Sequence, residues 1–222
     1  ATLSVKDMAQ FTPGTLSLGS TSSSSSTGVL VLSGDPGHDV PTWADFAAAR
    51  DYSQSGGSGT WRIGTGTGLD TYGGGFAARG ADLTIPKDAE TAPGTFARSF
   101  TLGTTARDVA GDRYANHAIT VEQDIDLPSP GSATNFRWHF IGGNVDDKAT
   151  GWVLDGPIHQ LTGKISGGNA NLTVALQGQG DNKSNNLIGG IVRITNPAND
   201  FAPANFYIGT DRHLSGYQPA DD

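Results

Sequence analysis

The glycines of "GTWRIGTGTGLDTYGGGF", residues 59 to 76, form the stretch of this chain that most resembles a cofactor motif. Gly64, Gly66 and Gly68 follow a strand-like "TWRI", as the glycines of a phosphate loop follow a strand. Such a loop must then open a helix whose free N–H groups point at the anion. "LDTYGGGF" opens no helix, and no Gly-Lys-Ser/Thr ending follows. Turn geometry is therefore the expected use of these glycines, and no cofactor is expected.

The five histidines, His38, His117, His139, His159 and His213, are dispersed, with no pair at metal-ligand spacing. His139 and His159 fall on strand-like runs, where convergence would allow a metal or haem site. Without a spacing signal, solvent-facing positions on strands are the expected reading, and no metal is assigned. "GDPGHD" sets Asp35, His38 and Asp39 in a turn before a helix, with Asp39 or Thr42 as its N-cap. No Gly-x-Ser-x-Gly elbow supports a hydrolase, so no catalytic residue is assigned.

Glu122, Asp124 and Asp126 in "ITVEQDIDL" would line one face of a strand about 7 Å apart, too far to share a proton. A carboxylate pair formed across strands would suit a glycosidase, which needs separations of about 5 to 9 Å. A calcium site ranks above catalysis, and a solvated face above both. At an assembled surface the same stripe would supply negative charge. Trp61 and Tyr72, set in glycine-rich segments, are the candidates for exposed aromatic contacts to a ligand such as a sugar, whereas Trp138 alternates with Phe136 and Phe140 and reads as core.

Composition narrows the function classes. The 222 residues include 32 glycines and no cysteine, which removes disulfides, thiolate metal sites and cysteine nucleophiles. A formal net charge of -8 disfavours nucleic acid and anionic membranes as partners. No apolar run approaches the eighteen or so residues of a membrane helix, so no membrane insertion is expected. "ATLSVKDM" does not read as an uncleaved signal peptide, and Ala1 would follow either removal of an initiator Met or signal cleavage.

The elements that must position these residues read as all-β, an antiparallel β-sandwich or barrel, meander-rich, with long Gly/Ser loops and one short helix near 41–52. In "PTWADFAAARDY", Trp43, Phe46, Ala47 and Arg50 recur at helical spacing. "IHQLTGKISGGNANLTVALQG" reads as a hairpin about its Gly-Gly-Asn-Ala-Asn centre. No strict internal repeat is visible. A single domain over 1–222 is expected, with 1–40 as an extended N-terminal arm holding the loop "TSSSSSTG", and a subdivision near 112.

Without concentrated chemistry, the expected class is a non-enzymatic assembly protein: a subunit of a phage tail tube, head decoration, capsid or filament, located in a virion or extracellular assembly. Its partners would be copies of itself or other assembly subunits. A secreted or surface module binding carbohydrate or haem is the alternative, and a glycoside hydrolase the third.

Overall fold

The computed structural model describes residues 2–5, 16–18, 28–49, 61–63, 74–87, 94–96, 99–104, 117–127, 135–144, 157–168, 171–179, 191–203 and 205–209. In chain order these hold β1 (Thr2–Leu3), β2 (Leu16–Leu18), β3 (Val29–Leu32), α1 (Trp43–Ala49), β4 (Trp61–Ile63), β5 (Gly75–Ala78), β6 (Leu83–Ile85), β7 (Gly94–Phe96) and β8 (Phe100–Leu102). Then come β9 (Ile119–Val121), β10 (Ile125–Leu127), β11 (Asn135–Asn144), β12 (Ile158–Leu161), β13 (Ile165–Gly167), β14 (Asn171–Gln179), β15 (Ile191–Ile194) and β16 (Asn205–Gly209).

The expected antiparallel sandwich or barrel is not what forms: every strand pairing among the described residues is parallel. The main sheet has seven strands in the order β1-β3-β5-β8-β11-β14-β16. A second wall has four, β15-β12-β9-β6, and the third is built from the sheets β2-β4-β7 and β10-β13. From β5 to β15 the chain visits main sheet, second wall and third wall in rotation, and each circuit stacks on the one before it. That is a parallel β-solenoid. Parallel strands ordinarily need helical crossovers; here the strands of the other two walls make the crossover.

The core runs along the axis of this coil. Leu30, Phe76, Leu102, Trp138, Phe140, Leu172 and Val174 enter it from the main sheet, Leu83, Ile85, Ile119, Val121 and Leu161 from the second wall, and Leu18, Ile125, Leu127 and Ile165 from the third. Period-2 alternation thus specifies which side chains enter this core, while the other face of β3, β5 and β8 is buried as well. It carries no information on the direction of the neighbouring strand, and that is how the reading of the meander failed.

"ITVEQDIDL" illustrates this. Val121, Gln123, Ile125 and Leu127 are buried while Glu122, Asp124 and Asp126 are exposed, as the alternation implies. The segment is nevertheless two strands, β9 and β10, which lie in different walls with a corner between them. Likewise the expected hairpin does not form: β12, β13 and β14 lie in three different sheets. Gly167 and Gly168 take φ of 78° and 106°, and this left-handed pair swings the chain from the third wall to the main sheet instead of reversing it into a ladder.

The helix forms within its expected span, and Trp43, Phe46 and Ala47 are its buried residues. Thr42 is the N-cap: its hydroxyl accepts from the Asp45 N–H at 3.2 Å, and the Asp45 carboxylate accepts from the Thr42 N–H at 2.8 Å. In the coil, α1 falls where the circuit of β3 would place a second-wall strand, and it packs against β6, the edge of that wall. A sheet edge is thereby covered. The main sheet contains strands on both sides of position 112, which itself lies outside the described residues, as do Arg50, residues 20–27 and His213.

Candidate functional site

His159 is fully buried, contrary to the solvent-facing expectation. It stands in register between Ile119 and Val192, in an inward column of the second wall. Its Nδ1 accepts from the Ile119 N–H at 3.1 Å, so Nε2 bears the proton and donates to the Ile141 carbonyl at 2.9 Å. One ring therefore joins β9 of the second wall to β11 of the main sheet. Burial holds its pKa below the ordinary imidazole value, with the Ile141 hydrogen bond and the Asp82 charge opposing this. The ring is a neutral crosslink, and ligating a metal or haem iron would require breaking one of these bonds.

His139 is also buried, on the opposite face of β11 from Trp138 and Phe140. It lies in register between Thr101 and Ala175, and Thr101 is buried beside it. Because His159 points into the coil and His139 away from it, the two histidines do not share a site.

The acidic residues straddle the corner between β9 and β10. Lys87 Nζ lies 3.1 Å and 3.0 Å from the two Asp124 carboxylate oxygens, and the Lys164 N–H donates to the same carboxylate at 2.8 Å. The Lys164 ammonium in turn lies 3.1 Å from Asp200. Lys87, Asp124, Lys164 and Asp200 come from successive circuits, so charge alternates in sign along one edge of the solenoid. The Asp124 pKa is lowered, first by the Lys164 N–H and then by Lys87. Asp126 accepts from the Ser166 hydroxyl at 3.4 Å, and Glu122 is exposed. Among the described residues no group of three or more His, Cys, Asp or Glu could hold a metal ion.

"GDPGHD" is a turn, in which the Asp35 carboxylate accepts from the Gly37 N–H at 2.8 Å and lies 3.6 Å from His38. Asp39 pairs with Arg79 at 3.4 Å. Trp61 begins β4, in register with Leu16 and Gly94, and its side chain lies outside what is described. Tyr72 and the glycines at 64, 66 and 68 lie outside the described residues as well.

The feature that sequence reading missed is at the end of the coil. Ile191, Phe206, Tyr207 and Ile208 are exposed large hydrophobics on β15 and β16, the last strands of their sheets. Phe206 and Ile208 stand in register with the buried Leu172 and Val174. They are core-column residues with no further strand over them among the described residues. "NFYIGTD" reads as a strand in the sequence, but its place at a sheet edge has no local signal.

No helix among the described residues is long and apolar enough to cross a membrane. No protein-family model, curated protein or solved structure matches the chain.

Proposed function

We propose that this chain is a non-enzymatic structural subunit that works by assembling, as part of a virion-like particle or an extracellular filament. The observation that supports it most directly is the open end of the solenoid. Among the described residues β16 has one neighbour, β14, and its other edge, beside Phe206 and Ile208, pairs with no strand. An exposed apolar sheet edge is a template for strand pairing between chains, and proteins that remain monomeric blunt such edges with charge, proline or a covering element. This chain covers the β6 edge with α1. The β16 edge has no comparable cover among the described residues.

The residues with potential for chemistry fit this reading. His159 uses both ring nitrogens in holding two walls together, and Asp124 is held between two lysines of adjacent circuits. The negative net charge suits a surface that does not adhere to nucleic acid. The test is the mass and shape of the purified chain, by light scattering and negative-stain microscopy across a hundredfold range of concentration. Species of increasing mass with rod, ring or tube outlines are expected; a monodisperse monomer throughout would overturn the proposal.

A further inference from the structure

All the exposed large hydrophobics among the described residues belong to end strands: Leu3 on β1, Ile191 on β15, and Phe206, Tyr207 and Ile208 on β16. β1 and β16 are the two end strands of one sheet, separated by five strands. Leu3 stands in register with the fully buried Leu30, as Phe206 and Ile208 stand with Leu172 and Val174. Among the described residues both edges therefore end in core columns that lack their next member.

The direction of pairing decides what fits. All six pairings within this sheet are parallel. Translating a second copy along the axis places its β1 against β16 in the same parallel sense. A two-fold mate would set β16 antiparallel to itself, a pairing absent from the described strands. Charge agrees with the translation. Arg193, exposed on the last strand of the second wall, makes no ion pair among the described residues, and α1, at the opposite end of that wall, presents exposed Asp45.

We propose that copies of this chain stack head to tail, the β16 edge of one pairing in parallel with the β1 edge of the next, so that Leu3, whose column runs through Leu30, Phe76, Leu102, Phe140 and Leu176, closes over the apolar end of the coil beside Ile208. This rests on the assembly reading and specifies its geometry. The contact joins two different surfaces, and a contact of that kind propagates as a filament or closes into a ring.

Two variants of the 222-residue chain test it, Leu3→Lys at the head and Ile208→Lys at the tail, with Phe206→Lys as a second tail variant. Circular dichroism and thermal melting establish that each is folded before light scattering. Wild type is expected to grow in mass with concentration, and each variant alone to remain monomeric. An equimolar mixture of head and tail variants should stop at twice the monomer mass, because the intact head of one meets the intact tail of the other and no further contact is possible. If either variant alone still associates, or the mixture stays monomeric while wild type assembles, head-to-tail stacking is wrong and the assembly reading stands. If wild type itself is monomeric throughout, both fall.

Discussion

His159 couples two walls through backbone groups alone, so the proton on its ring is part of the fold. Its folded pKa lies below 6.5, because burial penalises the imidazolium. The unfolded chain consequently binds more protons in the acid range. Stability is complete above about 6.5 and declines as pH falls through that value towards the lower folded pKa, by at most about 1.4 kcal/mol per pH unit from this group. Denaturation free energies at pH 7.5 and 5.5 should fall more for wild type than for His159→Gln; parallel losses would exclude the crosslink as their source. Asp124 has the same sign in a lower window: its contribution is present above 3.8 and lost as pH falls through its lowered pKa. With its side chain 49% exposed, that contribution is small.

Trp138 is fully buried and stacks on Phe100 with ring centroids 5.3 Å apart. Trp138→Ala should lower stability by roughly 3 to 5 kcal/mol, measured by urea denaturation, from lost transfer energy and the cavity left behind. Its indole N–H meets no acceptor among the described residues. Trp138→Phe should therefore be much milder, and equal losses in the two variants would show that the N–H has a partner that matters.

At the scale of elements, turns decide between a reversal and a corner. Gly167 holds φ at 78° where β13 ends, and a side chain there would meet the Leu127 carbonyl of the adjoining strand. Gly167→Ala should cost at least about 1 to 2 kcal/mol, the penalty of the left-handed region for an L-residue. A shift smaller than this in the denaturation midpoint would mean that the corner adopts another geometry. The same glycines were legible in the sequence as a turn. Whether the strands they join then pair with each other depends on where the chain goes next, because Ile165 and Leu172 face one core from different walls.

For the whole molecule, stacking makes stability a matter of neighbours. Each circuit touches the one before and the one after, so end circuits have half the contacts of central ones. In the Leu3→Lys variant, expected to stay monomeric, amide hydrogen exchange should accordingly be slowest in β5, β8 and β11 and fastest in β1 and β16. Equal protection along the main sheet would contradict a solenoid with an open end. The repeat was invisible in sequence because circuits differ in length. In-register positions are 46 residues apart from Leu30 to Phe76, 26 from Phe76 to Leu102, 38 from Leu102 to Phe140 and 34 from Val174 to Ile208.

By itself, the sequence determined that the chain is built mainly of short strands, that Val121, Ile125, Leu127, Trp138 and Phe140 face inward, and that a helix begins near Thr42. These follow from local periodicity and capping, which depend on residues a few positions apart. Strand direction, the burial of His139 and His159, the pairing of Asp124 with Lys87 and the exposure of Phe206 and Ile208 were decided only in the tertiary structure. Each depends on which circuit lies above or below, and Lys87 and Asp124, 37 residues apart, meet only because the intervening chain completes one circuit of the coil.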